Sequence, residues 1–404
     1  MNAKSKLLVS LLAAVILSSA ALGGDWPQWR GPGRDDKVAD FKAPAAWPKE
    51  LTQKWKVTVG SGDSSPILAA DKIFTAGRIN TDEVTLCLDA ATGKEIWRDT
   101  YAAPAPTGPD KNHPGPRGTP AVADGKLVVL GASGMLTCYD AATGKIIWRK
   151  DEFFKLTPPV FGSMSPIVTE GMVVAHLGSP KSGGIFAYDL ATGEQKWKWS
   201  GEGPGYASPS LLSVEGTKQI VVETEKSIIG LAQADGKLLW QIPFAGTTFN
   251  APSPIVNGTS VIFTAQNRGI TAVKIEKQGD TFAPKQLWKN ATTATQFNTP
   301  VIKDNLLYGL SDKGTFFCLK ADTGESVWAD TTGRGGNFGV ILDAGSVMLA
   351  LCGNSSMVAF KPGEKFEQVA AIKVAATPTY AHPIITGNSV YVRDADSVIL
   401  LTIE

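Results

Sequence analysis

One string recurs along the chain at a constant internal spacing. After a strand-like run ending in Tyr139 come Asp140-Ala-Ala-Thr-Gly144 and Lys145-Ile-Ile-Trp148. The same string returns as Asp89-Ala-Ala-Thr-Gly93-Lys94-Glu-Ile-Trp97 and as Asp189-Leu-Ala-Thr-Gly193-Glu194-Gln-Lys-Trp197. Shorter copies are Asp235-Gly236-Lys237-Leu-Leu-Trp240 and Asp322-Thr-Gly324-Glu325-Ser-Val-Trp328. In all five copies Trp stands four residues after Gly. Self-similarity of this kind means one supersecondary unit used many times, each too small to bury its own apolar faces.

The unit reads as a β-hairpin. Alternation through Met135, Thr137 and Tyr139 fits a pleated strand, and the polar link suits a turn. Asp accepts hydrogen bonds from backbone N–H groups two residues on, and Gly takes positive φ without a Cβ clash. The Trp is expected to wedge between neighbouring sheets and to need an acceptor for its N–H. Ahead of each hairpin lies a hydroxyl residue, a proline and an apolar run, at Ser65-Pro66, Thr119-Pro120, Ser165-Pro166, Ser208-Pro209, Ser253-Pro254 and Thr299-Pro300. His382-Pro383 is a variant, and Gly339-Val340 has lost the proline. A further strand follows, for example Lys126–Leu130. Each repeat therefore carries four strands, A to D.

Seven such units begin near residues 64, 119, 163, 206, 251, 298 and 337. The fifth has a longer polar link between strands C and D, at 276–284, and the seventh lacks the Trp. The tail, 380–404, supplies strands A to C but no D. A lone D-like strand containing Trp55 lies at 51–59. An open array would leave two exposed sheet edges, which pair with other chains. Pairing the orphan strand with the unfinished sheet removes both edges. The prediction is an all-β, eight-bladed β-propeller of four-stranded blades over 51–404, closed by its N-terminal strand. The rival is a seven-bladed ring with one repeat misread.

Residues 1–23 carry Lys4, Lys6, an apolar core and small residues, the pattern of a cleavable signal peptide. The apolar core is too short to span a bilayer. Residues 24–50 form an arm rich in Pro and Gly, whose Trp26 and Trp29 are expected to dock on the body. The formal charge is +1, and removing Lys4 and Lys6 with no acids makes it −1. A neutral body argues against nucleic acid, because phosphate binding needs a basic surface. Cys87, Cys138 and Cys318 stand at one place in three repeats and so fall in different sheets. These three read as buried core residues, and Cys352 has no evident partner.

The Asp-Ala-x-Thr-Gly-Lys-x-x-Trp string resembles the pyrroloquinoline-quinone (PQQ) repeat. The resemblance covers 51–404, and the opening Asp25-Trp-Pro-Gln-Trp-Arg-Gly-Pro resembles the start of exported PQQ-like propellers. That family includes quinoprotein alcohol dehydrogenases and the non-catalytic propeller subunit of the outer-membrane β-barrel assembly machinery. The dehydrogenases imply a funnel holding PQQ, a Ca²⁺ ion and a carboxylate base, often beneath a vicinal disulfide. This sequence has no adjacent cysteines and lacks the long inserted loops of those enzymes.

Blade geometry places the residue three before each proline around the axis: Asp63, Arg117, Ser163, Tyr206, Ala251, Phe297, Asn337 and Tyr380. Arg78 and Arg268 lie in links between strands B and C on the same rim. These eight — Asp63, Arg78, Arg117, Tyr206, Arg268, Phe297, Asn337 and Tyr380 — are the candidate binding residues. They hold too few oxygen donors for Ca²⁺, which takes six to eight. Trp55, Trp97, Trp148, Trp197, Trp240, Trp288 and Trp328 are assigned to docking between blades. His113, His176 and His382 are scattered, with His176 expected to satisfy a core hydrogen bond. Neither HExxH nor GxSxG occurs. The expectation is an exported, non-enzymatic scaffold of the cell envelope that binds other envelope proteins or peptides, without PQQ or metal. The alternatives are a PQQ-dependent alcohol or sugar oxidoreductase and a carbohydrate-binding propeller that stacks sugars on Tyr206, Phe297 and Tyr380.

Overall fold

The computed structural model describes residues 24–156, 162–179, 181–244 and 250–404. The signal-peptide reading of 1–23 falls outside them. The described chain forms eight four-stranded antiparallel sheets. Seven run A-B-C-D in chain order, as in Ala121–Ala123, Lys126–Leu130, Leu136–Asp140 and Ile146–Lys150 of blade 2. The eighth holds Ile384–Thr386, Ser389–Arg393 and Ser397–Thr402, with Thr52–Thr58 as its outer strand. Trp55 is opposite Leu400 and Thr58 opposite Ser397, so the ring closes through its first strand.

The repeated string is explained by contacts between blades. Asp89 Oδ1 accepts from Thr92 N–H at 2.8 Å and Asp140 Oδ1 from Thr143 N–H at 2.9 Å, three residues on rather than two. Asp189 takes the N–H groups of both Ala191 and Thr192, at 2.9 Å each. The glycine that follows has two duties. Gly144 sits at φ +74°, and a Cβ there would lie 2.5 Å from the Trp97 ring of the preceding blade. Gly93 receives Trp55 in the same way, Gly193 receives Trp148, Gly236 receives Trp197 and Gly324 receives Trp288. Each seated indole also finds an acceptor in the next blade's turn. Trp55 donates to Ala90 O (3.1 Å), Trp97 to Ala141 O (3.1 Å), Trp148 to Leu190 O (3.0 Å) and Trp197 to Gln233 O (3.0 Å). Trp288 and Trp328 donate likewise to Ala321 O and Gly363 O.

Two exceptions obey the same rule. The fifth blade's insertion is a lengthening of the strands themselves, Gly269–Gln278 paired with Thr281–Asn290, and not the polar link expected at 276–284. No turn then faces Trp240, which donates to Gln219 Oε1 of its own blade at 2.6 Å. The eighth blade takes its outer strand from the other end of the chain and has no C–D turn. Blade 7 accordingly has Ala370 in the Trp register, opposite Ala359. Cys87, Cys138 and Cys318 are buried on strand C beside these Trp positions, and all four cysteines are free. Burial pushes the Cys87 thiol up to about 12.

The arm crosses the channel at the face opposite the funnel. Trp26 pairs through its backbone with Leu68 of blade 1, and Pro27 O accepts from Val122 N–H of blade 2 at 2.8 Å. Arg34 donates to Pro209 O of blade 4 at 3.0 Å, and Arg30 to Pro300 O of blade 6 at 3.1 Å. Val38 N–H donates to Asp343 O of blade 7 at 2.8 Å. Arg30 and Asp36, both fully buried, form an ion pair within the arm. Burial works against the Asp36 charge, but Arg30 and His382 outweigh it and hold the carboxyl below its ordinary range.

A candidate binding funnel closed at its base

The residues before strand A converge on a cavity of about 290 Å³ on the axis. Five of the eight candidates line it: Asp63, Arg117, Tyr206, Phe297 and Tyr380. Three do not. Arg78 is buried at a blade edge and donates to Thr81 O and Ala103 O, both at 3.3 Å. Arg268 is exposed, its guanidinium 5.9 Å from the Phe244 ring centre. Asn337 donates to Gln296, and its neighbour Phe338 takes the lining position instead. Blade 7 lacks both the hydroxyl and the proline that fix this approach elsewhere. Its strand A starts at Gly339, whereas the others start after the proline.

One wall is aromatic. Phe297 and Phe338 stack with centroids 4.2 Å apart, and Tyr380 meets Phe338 edge-on at 4.8 Å. The loop before blade 2 adds His113, 5.1 Å from Tyr380. His113 Nδ1 lies 2.7 Å from Asp63 Oδ2, and that hydrogen bond raises the imidazole above its ordinary value. Arg117 donates to Asp110 at 2.6 Å. The floor is Trp29 of the arm, packed against His382 at 5.5 Å, so the channel is a blind cup.

Below the rim runs a feature the sequence showed but did not explain. Five of the six hydroxyls before proline accept the backbone N–H of the equivalent residue one blade earlier. Thr119 donates to Ser165 Oγ (2.9 Å), Ser165 to Ser208 (2.9 Å), Ser208 to Ser253 (2.8 Å) and Ser253 to Thr299 (2.9 Å). His382 N–H donates to Ser65 Oγ at 2.8 Å across the seam. The recurrence of Ser or Thr before proline was the available signal, and only the ring geometry reveals its use.

Three buried charged or titratable side chains share one register on strand B: His176, Glu223 and Arg393, each two residues beyond the partner of strand A's first residue. Arg393 ties the seam, donating to Ser64 O (3.1 Å), Thr75 Oγ1 (2.9 Å) and Gly60 O (3.0 Å) of the first blade's side. The hydrogen bond expected of His176 is at best a weak one to the backbone of Gly203, and neither ring nitrogen makes a well-formed bond among the described residues. Strand B is covered on both faces by neighbouring blades, and this desolvation outweighs the opposing backbone contact with Gly203 and pushes the imidazole down to about 3. Both Glu223 oxygens also lack partners among the described residues, and burial raises that carboxyl well above its ordinary range.

The donor set does not make a Ca²⁺ site. Asp63 is the one carboxylate lining the funnel, it is engaged by His113, and no cluster of three or more potential ligands occurs among the described residues.

The family model described as outer membrane protein assembly factor BamB matches residues 80–330. The chain belongs to this family of PQQ-repeat propellers. It is 22% identical to outer membrane protein assembly factor BamB of Burkholderia pseudomallei over 360 residues, 86% of each chain. It is 25% identical to tetrathionate hydrolase of Acidithiobacillus ferrooxidans over 241 residues, 55% of this chain and 46% of that protein. The chain thus spans under half the length of the hydrolase it matches. The solved structure of a europium-containing methanol dehydrogenase superposes with a TM-score of 0.71 at 13% identity, covering 92% of this chain and 89% of that one. That likeness is one of fold. No described helix is long and apolar enough to cross a membrane.

Proposed function

We propose that this propeller is a non-enzymatic scaffold of the cell envelope, exported through residues 1–23, whose funnel-side rim holds other envelope proteins or peptides. Its membership of the BamB family and its match to a BamB relative over most of both chains support the reading. The observation that carries it is the funnel's donor set. A quinoprotein oxidoreductase needs a metal site and a free carboxylate base, and among the described residues the single lining carboxylate is bonded to His113. The near-neutral charge favours protein partners over nucleic acid.

The test has two arms. Photocrosslinking residues placed at Arg268 and Asn354, on the rim, are expected to trap discrete envelope proteins in cells. The same probe at exposed Ile147, on an outer strand, is expected to trap none. Purified protein mixed with PQQ and Ca²⁺ is expected to emerge from gel filtration without quinone absorbance. Stoichiometric quinone retention with alcohol-dependent dye reduction, or equal trapping at all three positions, overturns the proposal.

A further inference from the structure

We propose that the base of the funnel binds one aromatic carboxylic acid group, with its carboxylate on the hydroxyl belt and its ring against the aromatic wall. This goes beyond the scaffold reading and does not rest on it.

The belt supplies the first argument. Ser65, Ser165, Ser208, Ser253 and Thr299 are all buried and all line the cavity. Each oxygen already accepts a backbone N–H from the adjacent blade. A hydroxyl has one proton to give, and among the described residues none of these five gives it to a protein acceptor. The cup therefore presents an arc of O–H donors whose oxygens are fixed by the fold. A ligand group rich in acceptors and poor in donors completes them, and a carboxylate, which accepts only, fits best.

The floor supplies the second. Arg34 lies with its guanidinium carbon 5.4 Å from the Trp29 ring centre, and Arg30 lies at 5.5 Å. Arg30 is neutralised by Asp36. Arg34 holds two neutral oxygens, Gln28 Oε1 at 3.3 Å and Pro209 O at 3.0 Å, and no described carboxylate pairs with it. Its burial and the neighbouring Arg30 lower its proton affinity, as expected of a cation with no counter-charge. One positive charge thus sits against the Trp29 ring that forms the floor.

The wall supplies the ring's place. Phe297, Phe338, Tyr380 and His113 form a continuous aromatic surface over blades 6 to 8, flanked by the belt hydroxyls of Thr299 and Ser65. Ring-lining and belt residues are two apart in extended chain, about 7 Å, which matches a ring and a carboxylate joined by a short stem. The acid has two possible sources, a free aryl-alkyl acid or a peptide ending in Phe, and the chemistry recognised is the same.

Calorimetry on the purified protein tests this with 3-phenylpropionate against 3-phenylpropanamide, which keeps the shape and loses the charge. The acid is expected to bind at least about tenfold more tightly. Phe338→Ala is expected to weaken the acid several-fold, and Ser208→Ala with Ser253→Ala to abolish the preference over the amide. Should the belt variant fail to fold, the acid–amide ratio on the unaltered protein still decides. A tripeptide ending in Phe, compared with its C-terminal amide, separates the sources: binding of the free-carboxylate peptide assigns a chain end, and its exclusion while phenylpropionate binds assigns a small acid. Equal affinity for acid and amide, or no heat from either acid source at millimolar concentration, overturns the proposal and leaves the rim crosslinks of the scaffold reading unaffected.

Discussion

At the scale of single residues, His176 and Glu223 are the costly ones. They hold one register on strand B of adjacent blades, both buried, Glu223 without a partner among the described residues and His176 without a well-formed hydrogen bond to offset its burial. Their linkage to pH has opposite signs. His176 titrates near 3 in the folded chain and near 6.5 when unfolded, so below pH 6.5 the unfolded state binds more protons and stability falls with falling pH. Glu223 is raised when folded, so above its unfolded value near 4.3 the folded state keeps the proton and stability falls with rising pH. Between about pH 4.5 and 6.5 the two slopes, each up to about 1.4 kcal/mol per pH unit, oppose one another. The unaltered protein is expected to show a flat contribution there by urea unfolding. His176→Leu is expected to lose stability as pH rises through the window, and Glu223→Gln to lose it as pH falls. Flat profiles in both variants would mean that neither group is held uncharged. Nothing in the sequence marked Glu223, because its neighbours on strand B are those of any buried strand.

At the scale of elements, legibility followed repetition. The C–D hairpin could be read because every copy needs the same Asp cap and the same glycine beneath a neighbour's indole. Even the missing Trp of blade 7 marks a neighbour with no seat to offer. Phe338 could not be read in this way, because the blade that carries it had dropped the residues that set the register. The arm is aperiodic, and its route across the channel depends on Arg30, Arg34 and Asp36 at positive φ (62°, 55° and 58°), which no propensity foretells. Its anchor can be tested. Asp36→Ala leaves the buried Arg30 guanidinium without its carboxylate, a loss of roughly 3–5 kcal/mol for such a pair. The arm is expected to detach, with new protease cleavage within residues 24–40 and a red shift of the Trp emission as Trp26 and Trp29 leave their sites. An unchanged cleavage pattern would show that the backbone bridges to Leu68 and Asp343 hold the arm without the ion pair.

At the scale of the whole molecule, one contact differs in kind from the other blade pairings. In seven blades the outer strand is joined to its partner by a short turn, so losing a bond there leaves the strand tethered. In the eighth, Thr52–Thr58 meets Ser397–Thr402 across nearly the whole chain, and Arg393 adds side-chain bonds over the same seam. Such distant contacts carry the largest loop-closure cost and are expected to form late in folding. Interactions absent from the transition state govern the unfolding rate. Val57→Pro, which interrupts the seam strand, is therefore expected to speed unfolding in concentrated urea by at least about tenfold more than Ile147→Pro in the tethered outer strand of blade 2. Once Thr52–Thr58 detaches, Ser397–Thr402 becomes a free edge, a template for pairing with a second chain. Light scattering on the Val57→Pro protein should then report concentration-dependent dimers that Ile147→Pro does not form. Equal unfolding rates and a monomer in both would mean that the circle is held by the stacking of blades and their Trp seats, with the seam contributing no more than any other outer strand.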